Sequence, residues 1–291
     1  MDIFTEAEKT IYDIINEKRN FILIGEAGSG KSEIALNLAK FLTTWPFTLN
    51  GSEPVADFGD HGTKANCVDL FDLDQTKPLY RARDCIARFN SVAFVQTGET
   101  LSCVQSMASE NRGSNSACEN IIDGIYPRSK VQIYYQDQYL DAPTMVGGVR
   151  ASLISDNYTV LDIGGGRQAA RYAGAYRDLL NRDDSIAIYV VNPYRIWTQD
   201  AWSIAVTMTH IIDSTGLQQL YILANPNLGY GTTAYDVLEG IKHLNYLLED
   251  ISSFTSVCAK RDICDEVRAG TDKAIFPLDL QLTYEWADAD A

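Results

Sequence analysis

The sequence is short of basic residues, of histidines and of long apolar runs. Its 24 Lys and Arg stand against 39 Asp and Glu, which gives a formal net charge of −15 at pH 7. Because duplex DNA and anionic lipid are both bound through basic surface, this charge argues against a nucleic-acid partner and against a membrane partner. No apolar stretch approaches the roughly 20 residues that span a bilayer. The three histidines are scattered and offer little material for a metal site.

The sequence also has no Cys-x-x-Cys pair among its six cysteines. Residues 1–20 carry charges throughout and lack the continuous apolar core of a secretory signal. We therefore expect a cytoplasmic chain with reduced thiols. A metal shared by Cys258 and Cys264 is an alternative to two structural or isolated cysteines.

Short apolar runs alternate with helical patterns along much of the chain. The predicted strands are 21–24, 68–71, 159–161, 186–191 and 220–223. The predicted helices are 3–18, 32–42, 167–180, 199–215 and 233–248. This alternation predicts an α/β fold, a three-layer α/β/α sandwich with a mostly parallel sheet. In such sheets ligands bind at the carboxyl ends of the strands.

The segment at about 90–150 departs from this alternation. Residues 92–95 and 131–135 have the composition of strands, and the polar stretch 110–116 between them is typical of a loop. We interpret the segment as an insertion or subdomain within a single domain that spans 1–291.

Residues 25–32, Gly-Glu-Ala-Gly-Ser-Gly-Lys-Ser, match the phosphate-binding pattern G-x-x-x-x-G-K-[ST]. Glycines let the backbone wrap around phosphates so that successive N–H groups point at them. Lys31 would reach the β- and γ-phosphates, and Ser32 would bind Mg²⁺. The other predicted phosphate-binding residues are Gly25, Gly28, Ser29 and Gly30. The alternative is a glycine-rich turn without a ligand.

Asp162 ends the apolar run Val160-Leu161-Asp162, which is the Walker B pattern. A carboxylate at this position would hold Mg²⁺ directly or through water. The glycines that follow, 164–166, would let a backbone N–H, that of Gly165, approach the γ-phosphate. A tight turn into the next helix is the alternative explanation for these glycines.

Asp72 and Asp74 form a second acidic strand end. Since they are two residues apart, they would share a face of an extended strand. There they would orient the attacking water or a water bound to Mg²⁺. The alternative is a solvated loop.

The order of these motifs resembles the ParA/MinD/CooC group of P-loop ATPases, the deviant-Walker branch of the SIMIBI class, from Phe21 to Leu248 without the segment at 90–150. The resemblance implies an ATP-dependent homodimer that switches a protein partner when ATP is hydrolysed. It also implies that Asp162 is the Walker B acid and that Asp72 and Asp74 are the acids after the second strand. Asn225 corresponds to the asparagine that contacts the adenine base.

The sequence departs from this group at one functional position. The signature lysine is the second residue of the phosphate-binding pattern, where this chain has Glu26. A carboxylate cannot neutralise charge that develops on a phosphoryl group, so lysine catalysis across a dimer is not predicted. No Asn-Lys-x-Asp guanine motif is present, which favours ATP over GTP. The acidic end of the chain, 286–291, does not resemble the basic membrane helix of MinD-like proteins.

Three functions remain open on the sequence alone. The first is a Mg-ATP-binding ATPase that acts as a switch on a protein partner. The second is a small-molecule kinase, in which Arg81, Arg83 or Arg167 would bind an anionic acceptor. There are two alternatives for these arginines. One of them would stabilise negative charge during ATP hydrolysis, or all of them are ordinary surface residues. The third is a nucleotide-bound binding module with negligible turnover, which Glu26 favours.

Overall fold

The computed structural model describes residues 6–43, 45, 67–74, 92–96, 131–135, 146–165 and 167–282, with the backbone alone for 92–96 and 167–170. The strands in these residues are β1 (Asn20–Ile24), β2 (Val68–Asp72), β3 (Val92–Gln96), β4 (Val131–Tyr135), β5 (Tyr158–Asp162), β6 (Ser185–Val191), β7 (Leu220–Ala224), β8 (Ser256–Lys260) and β9 (Ala274–Leu278). The helices are α1 (Ile11–Glu17), α2 (Lys31–Leu42), α3 (Val149–Leu153), α4 (Arg167–Gly174), α5 (Arg177–Leu180), α6 (Ala201–Thr215), α7 (Ala234–Leu248) and α8 (Cys264–Gly270). Short 3₁₀ turns cover Ile196–Thr198 and Arg261–Ile263.

The described strands form one nine-stranded sheet in the order β3-β4-β2-β5-β1-β6-β7-β8-β9. Every pair of neighbours is parallel. β1 lies between β5 and β6, so the loop after β1 emerges near the centre of the carboxyl edge. The sequence-based prediction of a parallel α/β sheet is confirmed.

The sheet is buried on both faces, which makes the fold a three-layer sandwich. On one face Phe21 and Leu23 pack in a core with apolar side chains of α1 and α2. On the other face Ile22 and Ile24 pack in a core with side chains of α6 and α7. All residues of β1 are buried, which explains why its sequence is a continuous apolar run rather than an alternating one.

Several element boundaries differ from the prediction. α1 begins at Ile11 rather than at residue 3, because Thr10 and Asp13 form a capping box there. The predicted helix 167–180 is two helices; it breaks after Gly174, where a Cβ atom would lie 2.8 Å from the carbonyl oxygen of Ser214. β8 and β9 were not predicted. β9 contains Pro277, a residue tolerated at an edge of the sheet.

Two strands predicted in the 90–150 segment belong to the same sheet. β3 and β4 extend it beyond β2. β4 is fixed to β2 by Tyr134, whose ring stacks on Phe71 at 4.5 Å between centroids. The loop predicted at 110–116 lies outside the described residues.

A row of polar residues crosses the amino ends of five strands. In register order the row is Gln132, Asp69, Thr159, Asn20 and Ser185. Asp69 is buried and accepts hydrogen bonds from Ser152 Oγ at 2.7 Å and from Asn157 Nδ2 at 3.1 Å. Buried polar groups require such partners, so these bonds fix α3 and the start of β5 against β2.

None of the helices in the described part of the chain has the length and apolar character needed to cross a bilayer. Cys258 and Cys264 are buried in different cores, on opposite faces of the sheet. Burial raises the pKa of both thiols. Because the two side chains pack into cores on opposite faces of the sheet, the structure favours two structural cysteines over a shared metal.

We predict that Thr233→Ala lowers the free energy of unfolding by about 1 kcal/mol, because it removes the N-cap of α7. Thr233 Oγ1 accepts the N–H of Asp236 at 3.3 Å, and the Asp236 carboxylate accepts the N–H of Thr233 at 2.8 Å. Urea denaturation measures the change. Thr209→Ala, inside α6 and exposed, is the control and should be neutral or slightly stabilising. Equal losses in both variants would contradict the capping role.

Candidate functional site

The glycine-rich loop, residues 25–30, joins the buried strand β1 to helix α2. Gly25, Gly28 and Gly30 have positive φ angles of 139°, 76° and 95°, a backbone region that favours glycine. A Cβ atom at residue 25 would lie 2.5 Å from the carbonyl oxygen of Val190, and one at residue 30 would lie 2.2 Å from Asn225 Nδ2. Both the conformation and the space therefore require glycine here.

Helix α2 begins directly after this loop, and its N-cap residue, Gly30, has no side chain that could cap it. The dipole of the helix favours an anion at this end. Lys31 and Ser32, the first two residues of α2, are buried. The structure thus places a buried cation and a hydroxyl at the positive end of a twelve-residue helix.

The carbonyl oxygen of Glu26 gathers donors inside the loop. Lys31 Nζ donates to it at 2.8 Å, and the N–H of Ser29 donates to it at 3.3 Å. These are the two kinds of donor that a phosphate oxygen would require. The hydroxyl of Ser29 is also buried, and it has no hydrogen-bond partner among the described residues. The loop therefore has polar groups suited to an anionic oxygen.

Two side chains from the segments after β6 and β7 donate hydrogen bonds to backbone carbonyls of the loop. Arg195, in the turn after β6, donates from Nε to the carbonyl oxygen of Gly28 at 2.9 Å. Asn225, directly after β7, donates from Nδ2 to the carbonyl oxygen of Ser29 at 2.7 Å. The structure thus places Asn225 against the loop backbone; its contact with an adenine base stays a prediction.

The acidic strand ends lie on the opposite side of β1. Asp162 is the Cα partner of Leu23 in β1 and of Asp72 in β2. Partners in parallel register share a face, and Leu23 belongs to the core under α2. Both carboxylates are therefore on the α2 face, and both are buried.

The loop after β2 packs against the loop after β5, which in turn packs against the glycine-rich loop. The N–H of Asp74 donates to Asp72 Oδ1 at 3.2 Å, and a Cβ atom at residue 164 would lie 2.4 Å from Asp74 Oδ1. A Cβ atom at Gly165 would lie 2.7 Å from the backbone nitrogen of Ala27. Asp72 and Asp74 are buried, so the alternative of a solvated loop is wrong.

The carboxylate of Glu26 is near enough to Tyr189 of β6 to act on it electrostatically. Tyr189 of β6 has its pKa raised, chiefly by burial and further by the nearby Glu26 carboxylate. Glu26 is half-buried, whereas Ala27 and Gly28 at the tip of the loop are exposed. The negative charge of Glu26 is thus close to the loop rather than directed far into solvent.

The donor set fits Mg²⁺ bound together with a nucleotide. Among the residues that the structure describes, no three His, Cys, Asp or Glu side chains gather as a metal-binding group. Mg²⁺ bound with phosphates, however, retains waters and needs only one or two protein oxygens. The hydroxyl of Ser32 and the carboxylate of Asp162 are oxygen donors of that kind.

The structure brings together most of the residues predicted from the sequence. They are residues 25–32, Asp72, Asp74, Asp162, Gly165 and Asn225. Arg81 and Arg83 lie outside the described residues, as does the side chain of Arg167. Sequence reasoning missed Arg195; its nearest signal was the Asn192-Pro193 turn at the end of β6.

No protein-family model matches the chain, and no curated protein matches it. Any function must therefore be argued from the geometry and chemistry of the site itself.

We predict that Gly165→Ala destabilises the protein by roughly 1–3 kcal/mol, because the added methyl group would meet backbone atoms of the glycine-rich loop and force the two loops apart. Urea denaturation measures the loss. Gly231→Ala is the matched control, since a Cβ atom there meets nothing within 4 Å. If both variants unfolded like the wild type, the close approach of Gly165 to Ala27 would be wrong.

Proposed function

We propose that the protein binds Mg-ATP at the glycine-rich loop and hydrolyses it, acting as a nucleotide-dependent switch on a protein partner. The observation that carries this proposal is the convergence of donors on one oxygen, the carbonyl of Glu26, at the amino end of α2. A phosphate oxygen in its place would receive the ammonium of Lys31 and the N–H of Ser29. The buried acids at the ends of β2 and β5 support the metal and water part of the reaction.

Each residue has a separate role in this proposal. Lys31 binds the β- and γ-phosphates, while Ser32 and Asp162 hold Mg²⁺. When bound, Mg²⁺ neutralises negative charge on the phosphate oxygens. Asp74 or Asp72 orients the water, whose oxygen bonds to the γ-phosphorus as the bond to the β–γ bridging oxygen breaks. ATP and water thereby give ADP and inorganic phosphate.

Gly165 supports the switch part of the proposal. Its backbone is packed against Ala27 of the glycine-rich loop, and in this proposal its N–H binds the γ-phosphate of a nucleotide in that loop. Loss of the γ-phosphate would remove the group that this N–H binds, and release of such a loop is a common switching event. A nucleotide-dependent homodimer remains a prediction from the family resemblance.

Exposed apolar side chains at the same edge of the sheet support a protein partner. Among the described residues, the turn after β6 and the start of α6 expose Ile196, Trp197 and Trp202, and the loop after β7 exposes Leu228 and Tyr230. Large apolar side chains exposed together are typical of protein-interaction surfaces. β6 and β7 are neighbours in the sheet, so the two loops adjoin.

A nucleotide-bound module with negligible turnover is a second candidate. The position of Glu26 favours it, because a carboxylate beside the loop opposes the build-up of negative charge on a transferred phosphoryl group. The two candidates share the binding site and differ only in hydrolysis.

We expect Lys31→Ala to weaken ATP binding at least about tenfold, since it removes a charge-assisted contact to phosphate. Isothermal titration with Mg-ATP measures the affinity, and urea denaturation checks that the variant folds. Lys242→Ala, an exposed lysine of α7 paired with Glu239, is the control for loss of one positive charge. Equal ATP affinities for wild type and Lys31→Ala would contradict the proposed function.

We expect wild type to release phosphate in a single turnover and Asp74→Asn to slow that release about a hundredfold with little change in ATP affinity. The asparagine is nearly isosteric but a poorer acceptor for a water proton. Phosphate is followed with enzyme in excess of ATP, with and without Mg²⁺. Tight ATP binding with no release by wild type would favour the module without turnover.

A further inference from the structure

The positions of Arg195 and Asn225 have a consequence for the direction of the loop N–H groups. In a trans peptide the carbonyl of one residue and the N–H of the next point in opposite directions, and the described chain contains no cis peptide. Arg195 holds the carbonyl of Gly28, and Asn225 holds the carbonyl of Ser29. The N–H groups of Ser29 and Gly30 are therefore turned away from these side chains.

The N–H of Ser29 shows where that direction leads. It donates to the carbonyl oxygen of Glu26, the same oxygen that receives Lys31 Nζ. Because the Gly28 carbonyl points out of the loop towards Arg195, the Ser29 N–H of the same peptide points into the loop. The same relation applies one residue later, between the carbonyl of Ser29 and the N–H of Gly30.

The backbone that carries each of these side chains is itself fixed. Asn225 is buried, and its N–H donates to the carbonyl oxygen of Val191 at 2.8 Å. The carbonyl oxygen of Arg195 accepts the N–H of Thr198 at 3.0 Å and its hydroxyl at 2.8 Å, and the N–H of Arg195 donates to the carbonyl oxygen of Asn192 at 3.2 Å. These bonds anchor the backbone that carries the two donors, and the hydrogen bonds to Gly28 and Ser29 hold the side chains. Both kinds of bond lower the ordering cost of binding a ligand.

We propose that Arg195 and Asn225 are positioning residues for nucleotide binding: by holding the carbonyls of Gly28 and Ser29, they aim the N–H groups of Ser29 and Gly30 at the phosphates. This inference rests on the proposed function and adds two residues to it. It also gives Asn225 a role that needs no contact with the base.

Four variants separate this role from a general structural one. Arg195→Met keeps the aliphatic stem and removes the donor, whereas Arg195→Gln keeps a neutral N–H donor. Asn225→Asp keeps the shape and replaces the donor with an acceptor. Asn181→Asp is the control, because Asn181 also donates to a backbone carbonyl, that of Gly216 at 2.9 Å, near the amino end of β7 and far from the loop.

Affinity for Mg-ATP and the free energy of unfolding are measured for wild type and all four variants. We expect Arg195→Met and Asn225→Asp to bind ATP about tenfold more weakly than wild type. Arg195→Gln should bind ATP almost as tightly as wild type, because it keeps a hydrogen-bond donor. Asn181→Asp should bind ATP like wild type even where its stability falls. This pattern separates the geometry of the loop from overall stability.

Two results would overturn the inference. One is wild-type affinity in both Arg195→Met and Asn225→Asp while Lys31→Ala has lost binding; the proposed function would then stand without these positioning residues. The other is an equal loss of ATP affinity in Arg195→Gln and Arg195→Met, because the charge of Arg195 rather than its hydrogen bond would then determine binding. Equal binding by wild type and Lys31→Ala would instead remove the proposed function itself.

Discussion

Backbone packed directly on backbone is the constraint on which the rest of the site depends. The loop after β1 is enclosed by the carbonyl oxygen of Val190 at Gly25 and by the strand-end loop at Gly165. Neither contact leaves room for a Cβ atom. With the loop held this closely, the start of α2 has one position relative to β5, and Lys31 and Asp162 are brought to the same edge of the sheet. The glycines of these two loops therefore determine how Lys31 and Asp162 are placed relative to each other.

The sheet separates two kinds of polar chemistry. At the amino edge, Asp69 is fully engaged with Ser152 and Asn157, and its bonds join structural elements to one another. At the carboxyl edge, Asp72 and Asp162 lie on adjacent strands in register. Two buried carboxylates at one place repel each other unless a cation lies between or beside them. The buried acids at this edge are the basis on which we propose a site for a metal ion and a polyphosphate.

The sequence could predict what local patterns determine and missed what tertiary packing decides. Continuous apolar runs predicted β1, β5, β6 and β7, because strands buried on two faces need no polar alternation. The glycine motif likewise predicted its own loop, since positive φ angles and close contacts require glycine. The start of α1 at Ile11 and the break after Gly174 depend on a capping box and on contact with α6, which helical periodicity does not reveal. Arg195 was missed because its partner is a backbone carbonyl 167 residues away in sequence.

In the turn after β6, a residue that contacts the glycine-rich loop is followed directly by two exposed apolar residues. Arg195 points to the carbonyl of Gly28, while Ile196 and Trp197 are exposed beside it, at 67% and 48% of their full surface. Thr198 fixes this turn by donating its hydroxyl to the carbonyl oxygens of Asn192 and Arg195. These hydrogen bonds tie the two ends of the turn to each other. A protein bound to Ile196 and Trp197 would contact the turn that holds the carbonyl of Gly28. A shift of that turn would change the direction of the Ser29 N–H. By linkage, a nucleotide that fixes that N–H would in turn favour one arrangement of the exposed surface.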